Sequence, residues 1–178
     1  MIIYKDILNG DEYFSDAYKF EIIDDFYYEV SSSMITIDNT IDSALIGGNP
    51  AEGEEQCEEE TVRVNDIIHH FSLQEIAISS GSDLLSNIKP TSVGLLKSGT
   101  IKDLDAFKAK FKEFVMKIKG NVGDYSFYIG PNPDGILIIS RWENGTDQKF
   151  MLLKDGLLTE NIPRKTLFSQ TYLMSWIT

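Results

Sequence analysis

Cysteine is nearly absent from the sequence, which contains Cys57 and no other thiol. A single cysteine cannot close a disulfide within the chain, and it cannot supply the thiolate set of a structural zinc centre. We therefore expect no zinc site and a core that is held by packing alone. This use of cysteine is typical of a reducing compartment.

Long apolar runs are also missing at the start of the sequence. Residues 1–6 contain too few consecutive apolar side chains, and charge follows too soon, for a signal peptide or a membrane span. We expect a cytoplasmic protein without a membrane span. Any secretion would be independent of a signal peptide.

Basic residues are scarce relative to acidic ones. The 178 residues include 16 Lys and Arg against 28 Asp and Glu, which gives a net charge of −12. Because phosphate backbones and anionic lipid surfaces attract basic proteins, neither nucleic acid nor a membrane surface is an expected partner. The hydrophobic fraction of 42% is enough for a core, and the length suits a single domain over residues 1–178.

Recognisable catalytic patterns are absent as well. The sequence has no P-loop, dinucleotide fingerprint, Gly-x-Ser-x-Gly motif or His-Glu-x-x-His motif. His69 and His70 are the only histidines, and on the strand predicted for 61–73 they would point to opposite faces. Cys57 lies among glutamates, whose negative field disfavours a nucleophilic thiolate. We therefore expect no catalytic residue, no enzyme activity and no required cofactor.

Short strand patterns dominate what is present. Segments rich in aromatic and β-branched residues alternate with turn residues, a spacing that indicates antiparallel hairpins. These patterns predict an α+β protein that is mainly β. Besides 61–73, the predicted strands are 2–4, 20–23, 26–30, 34–37, 125–129, 135–142 and 149–154.

A helical arm is predicted over about 80–120. Residues 104–118 carry apolar side chains at the three-and-four spacing of one helix face. Thr100 with Asp103 resembles a capping box, and Gly120 suits the end of the helix. The stretch 79–99 predicts only a broken helix, because turn-forming residues interrupt its apolar spacing. The interruptions are Gly81, Pro90, Gly94 and Gly99.

Lysines occupy the remainder of the 104–118 helix and form a basic strip on an acidic protein. Such a strip could dock the acidic surface of a partner such as tubulin through Lys108, Lys112 and Lys119. The alternative is an ordinary solvated helix face.

Residues 47–61 form the most acidic segment, which has almost no apolar side chains and predicts a mobile loop. Calcium accepts several carboxylate oxygens in flexible geometry, so the loop could bind it weakly, with a Kd on the order of 10⁻⁴ to 10⁻³ M. The alternative is a solvated charge run that aids solubility. The candidate ligands are Glu52, Glu54, Glu55, Glu58, Glu59 and Glu60.

The tail 163–178 is apolar, and its pattern is compatible with a strand, a short helix or a partner-binding segment. Exposed side chains of this type would form a sticky patch. They either pack on the β core or mark a partner surface. The residues concerned are Leu167, Phe168, Leu173 and Trp176.

Several motifs in order resemble the translationally controlled tumour protein (TCTP) family over most of residues 1 to about 160. The opening 1–6, followed by Gly10-Asp11-Glu12 and Phe14-Ser15-Asp16, is similar to the family's N-terminus. Ile46-Gly47-Gly48-Asn49-Pro50-Ala51-Glu52-Gly53 is similar to its first signature, and Tyr125-Ser126-Phe127-Tyr128-Ile129-Gly130 with Asn132-Pro133-Asp134-Gly135 to its second. The chain departs from the pattern in lacking a serine between Pro50 and Ala51, in having Pro131 after Gly130, and in its tail, which makes it a divergent member.

The resemblance implies a twisted, tent-like β core, similar to Rab-binding chaperones but zinc-free, with a protruding α-helical hairpin and a mobile acidic loop. It also implies a cytosolic, non-enzymatic protein with several partners, which binds calcium, associates with and stabilises microtubules and acts in growth control. Asp11 joins the loop glutamates as a calcium candidate. The alternative function is regulation of a small Ras- or Rab-type GTPase, as an exchange factor or chaperone, with Glu12 at the matching position.

Overall fold

The computed structural model describes residues 1–38 and 61–163, which form eleven strands and three helices. The predicted α+β class, mainly β, is confirmed. The elements are β1 (Ile2–Asp6), β2 (Glu12–Ser15), β3 (Phe20–Ile23), β4 (Tyr27–Ser31), β5 (Met34–Asp38), β6 (Thr61–Asn65), α1 (Asp66–His70), β7 (Gln74–Ile76), α2 (Gly81–Ser98), α3 (Leu104–Lys119), β8 (Tyr125–Ile129), β9 (Ile138–Glu143), β10 (Asp147–Leu153) and β11 (Leu157–Asn161).

The strands form three antiparallel sheets. The largest has six strands in the order β3-β4-β10-β9-β8-β7, and a second has three in the order β11-β1-β2. The third is a two-stranded ribbon of β5 and β6. The register of the second sheet brings the two ends of the described chain together, because Ile2 lies opposite Asn161.

An aromatic cluster joins strands of the two larger sheets. The rings of Tyr4 and Phe14 stack with their centroids 4.1 Å apart. Phe20 and Tyr28 meet both of these rings edge-on at 5.2 to 5.6 Å. Edge-to-face pairs add to the free energy gained by burying the rings, so this cluster fixes how the sheets sit against each other.

The predicted strand over 135–142 begins only at Ile138, although Ile136 and Leu137 before it are buried. The backbone N–H of Ile136 donates to the carboxylate of Asp6, and that of Leu137 donates to Thr91 Oγ1 at 2.9 Å. The backbone N–H groups of Ile136 and Leu137 thus donate to side chains and not to a neighbouring strand. The strands β2, β7 and β11 were not predicted.

The prediction of a broken first helix is wrong, because α2 is continuous from Gly81 to Ser98. Pro90 removes one backbone hydrogen bond, which the carbonyl of Ser86 would otherwise accept. Both residues lie on the exposed side of α2, where water can solvate that carbonyl. The buried side keeps the spacing of a helix face with Leu84, Ile88, Thr91 and Leu95.

Gly94 has a packing role in α2. A Cβ at this position would lie 2.8 Å from Leu8 Cδ1, in the turn after β1. At Gly81, a Cβ would lie 2.7 Å from Cγ of Lys119, at the end of α3. A side chain at either position would therefore displace the neighbouring side chain, so these two glycines fit the present positions of Leu8 and Lys119 against α2.

The predicted second helix is confirmed as α3, with Gly120 at its end, but its cap was wrongly assigned. The side chain of Asp103, and not that of Thr100, accepts a hydrogen bond from the first turn, from Ala106 N at 3.1 Å. Thr100 Oγ1 lies against Asp155 O and the hydroxyl of Ser98. No helix in residues 1–38 and 61–163 has the length and apolarity needed to cross a lipid bilayer.

The strand predicted for 61–73 ends at Asn65, and a short helix, α1, follows. Asn65 stops the strand because its side-chain oxygen accepts from the amides of Ile67 and Ile68 and so caps the helix. The two histidines consequently do not lie on opposite faces of a strand. The Nδ1 atom of His70 lies 2.8 Å from the hydroxyl of Tyr18.

Candidate functional site

The turn between β1 and β2 packs on the loop that precedes β9, and a buried carboxylate joins them. Asp6 is 1% exposed and accepts three hydrogen bonds, from Leu8 N at 2.7 Å, Tyr13 OH at 2.6 Å and Ile136 N at 2.7 Å. Burial raises the pKa of Tyr13 far above its ordinary value, and the hydrogen bond to Asp6 raises it further. Tyr13 therefore stays a hydrogen-bond donor and holds the turn in place.

Two glycines of the Tyr125–Gly135 motif lie where this turn meets the loop. A Cβ at Gly135 would lie 2.5 Å from Oδ2 of Asp6 and 2.6 Å from the Tyr13 hydroxyl. A Cβ at Gly130 would lie 2.7 Å from Oδ2 of Asp11. The absence of side chains at both positions is thus required for the close approach, a role that sequence reasoning missed.

Asp11, a calcium candidate, is engaged by the same loop. Its Oδ2 accepts from the backbone N–H of Asn132 at 3.0 Å, and its Oδ1 accepts from the Asn132 side-chain amide at 2.7 Å. Both oxygens therefore have a protein donor. In the part of the chain that the structure describes, no three His, Cys, Asp or Glu side chains are grouped to hold a metal ion.

The remaining calcium candidates, Glu52 to Glu60, lie outside the described residues. So do the tail residues from 164 onwards and Cys57.

Glu12, the GTPase candidate, is exposed at the beginning of the edge strand β2. Its carboxylate lies 3.6 Å from Nζ of Lys5, which also pairs with Glu160. These two carboxylates raise the pKa of Lys5, the bond to Glu160 contributing most. Glu12 is thus available to a partner from solvent, at the cost of its contact with Lys5.

The tubulin candidates lie together on a different element, α3. Lys108, Lys112 and Lys119 are all exposed. At 3.6 residues per turn they fall within about 40° of arc, so they share one side of the helix. We call this side the lysine face. Glu12 lies on a different element, β2.

The helical hairpin has the opposite charge to the rest of the chain. Residues 81–120 contain eight lysines and four acidic residues, a net charge of +4. Since the whole chain carries −12, the other 138 residues carry −16. The lysine face is therefore part of a positively charged hairpin on a strongly negative protein.

Comparisons with known proteins agree with this architecture. The family model "Translationally controlled tumour protein" matches residues 1–158. A TCTP homologue from Schistosoma japonicum is 35% identical over 168 residues, covering 90% of this chain and 99% of the relative. One from Danio rerio is 36% identical over 173 residues, with the same coverage.

Two solved structures have the same fold. A TCTP-type protein from Schizosaccharomyces pombe is similar with a TM-score of 0.73 at 32% identity, covering 91% of this chain and all of that chain. The NMR structure of TCTP from Caenorhabditis elegans is similar with a TM-score of 0.68 at 26% identity, covering 92% and all of that chain. The family match and the curated relatives together show that this chain belongs to the translationally controlled tumour protein family.

Proposed function

We propose that the protein is a non-enzymatic, cytoplasmic binding protein that associates with microtubules through the lysine face of α3. The observation that carries the proposal is the charge of the hairpin, +4 in a chain of −12. Complementary charge steers association and selects partners, and the tubulin surface is acidic. The three lysines are exposed along one side of a helix, which makes their charges accessible together.

Reversing the charges on the lysine face should weaken microtubule binding. In the variant Lys108→Glu, Lys112→Glu, Lys119→Glu, three attractions of about 0.2–1 kcal/mol each are replaced by repulsions. We expect the affinity in co-sedimentation with microtubules to fall roughly tenfold or more. The loss should shrink as salt is raised, because the charges are screened.

The matched control carries the same change in net charge at exposed positions outside the lysine face. Its substitutions are Lys19→Glu, Arg63→Glu and Lys97→Glu. We expect this control to keep most of its binding. An equal loss in both variants would assign the effect to total charge and overturn the lysine face as the site.

The second candidate function is regulation of a small Ras- or Rab-type GTPase, and the exposure of Glu12 on an edge strand favours it. The two functions separate by site. Glu12→Val should abolish GTPase binding in a pull-down and leave microtubule binding unchanged, whereas the lysine-face variant should do the reverse. Retained GTPase binding by Glu12→Val would count against this candidate.

We further propose weak calcium binding through Glu52 to Glu60, with a role in growth control, which the family resemblance and the acidic composition support. A calcium titration followed by backbone amide NMR should give localised shifts in this segment, with a Kd on the order of 10⁻⁴ to 10⁻³ M. Matched ionic strength with sodium chloride is the control for screening. The absence of localised shifts up to millimolar calcium would overturn the proposal.

A further inference from the structure

An apolar groove runs between α2 and α3. It has a volume of about 390 Å³ and is lined mainly by Leu85 and Ile88 of α2 and by Phe111, Val115 and Met116 of α3. Leu85 is 43% exposed and Met116 is 58% exposed. Grouped apolar side chains left open to water mark a binding surface more often than isolated ones do. We call this surface the hairpin groove.

The chain itself contains an apolar segment, residues 164–178, that lies outside the described residues. The family match stops at residue 158, so residues 164–178 lie beyond the part shared with the family. This segment has no acidic residue, and after Lys165 it has no charged side chain. Seven of its fifteen residues are large and apolar or aromatic: Leu167, Phe168, Tyr172, Leu173, Met174, Trp176 and Ile177.

The geometry allows this segment to reach the hairpin groove. Gly156, directly before β11, lies against α2, since a Cβ there would be 3.3 Å from Leu95. The five residues of β11 lead away from that point by about 17 Å. The fifteen residues that follow Pro163 can span up to about 50 Å when extended. The tail is thus long enough to return to α2 and beyond.

Apolar character, and not charge, favours the tail over the acidic segment, because the groove has a mainly apolar lining. Lys89 and Lys112 adjoin the apolar lining of the groove, so an occupant with few positive charges is preferred. Residues 166–178 meet this condition, and they supply the apolar side chains that Glu52 to Glu60 lack. We propose that residues 166–178 bind in cis in the hairpin groove. Attachment to the same chain gives the tail a millimolar effective concentration, which favours it over a second copy in dilute solution.

Tryptophan fluorescence tests this inference. The sequence has two tryptophans, and Trp142→Phe leaves Trp176, in the tail, as the only one. In that variant of the full chain we expect a blue-shifted Trp176 emission and weak quenching by acrylamide. Adding Leu85→Lys and Met116→Lys should shift the emission to the red and increase the quenching constant several-fold.

The matched control places the same lysines at equally exposed apolar positions outside the groove. These are Val62→Lys and Leu158→Lys, on β6 and β11, where the wild-type side chains are 42% and 52% exposed. They should leave Trp176 protected. Since all four positions are already exposed, we expect circular dichroism to report an unchanged fold. The tail-side variant Leu173→Asp, Ile177→Asp, which leaves the described domain intact, should release Trp176 as the groove variant does.

Three outcomes would overturn the proposal. A Trp176 as accessible as free tryptophan in the starting variant would show that the tail is not bound. Protection that persists in both the groove and tail-side variants would place the tail elsewhere. Protection that disappears on dilution would make a second copy the occupant.

Discussion

Replacing Asp6 by alanine is expected to lower the free energy of unfolding by about 3–5 kcal/mol. The substitution removes the common acceptor of Leu8 N, Tyr13 OH and Ile136 N, of which the last two are buried. An unsatisfied buried donor costs about 1–3 kcal/mol, and Asp6 is only 1% exposed, so bulk solvent does not reach these donors in the native fold. Urea unfolding followed by circular dichroism measures the change.

Two further variants test whether the loss of stability comes from the Asp6 carboxylate. Asp16→Ala removes an exposed carboxylate nearby in sequence and should change the unfolding free energy by less than about 0.5 kcal/mol. Asp6→Asn should be intermediate, because its NH₂ group must face one of the N–H donors. If Asp6→Ala were as stable as Asp16→Ala, the carboxylate would not be what joins the turn to the loop.

Replacing Asn65 by alanine is expected to cost about 2–4 kcal/mol, with its largest effect on the ribbon of β5 and β6. The side-chain oxygen caps α1, while its Nδ2 donates to Ser32 Oγ at 2.7 Å and to Gln148 Oε1 at 3.0 Å. Asn65 is 6% exposed, so these partners lose their bonds without gaining water. Amide hydrogen exchange should accelerate more in the ribbon than in the six-stranded sheet.

Two further variants separate the roles of this side chain. Asn65→Asp keeps the cap on α1 but replaces the Nδ2 donor with a carboxylate oxygen facing Gln148 Oε1, so it should be destabilising although the cap remains. Asn87→Ala, on the exposed side of α2, removes a single solvent-exposed hydrogen bond and restores helix propensity, so it should be nearly neutral. Uniform acceleration of exchange across all sheets would contradict a local role for Asn65.

Sequence periodicity predicted the elements that bury one face and expose the other. The helix α3 was found because its core contacts recur at three-and-four spacing, from Phe107 to Ile118. The continuity of α2 could not be inferred in the same way. The cost of Pro90 depends on whether the Ser86 carbonyl reaches water, and that is a property of the folded surface.

The candidate site was predictable in composition but not in geometry. Motif similarity placed Gly130 and Gly135 in a signature, yet their role depends on Asp6, Asp11 and Tyr13, which approach from a sequence distance of more than 100 residues. The lysine face could be predicted from the sequence, because the spacing of residues along a helix determines which side chains share one side. The hairpin groove could not, since two helices line it together.

The pairing of β1 with β11 has a consequence for how the protein is made. The two strands join over their full length, with Asp6 opposite Leu157, a separation of 151 residues. At a translation rate of about 5–20 residues per second, β11 is synthesised roughly 8–30 s after β1. During that time the nascent chain presents β1 with one open edge beside the aromatic residues of β2. A ribosome that pauses before residue 157 therefore holds a chain whose three-stranded sheet is incomplete, which is the kind of surface that chaperones recognise.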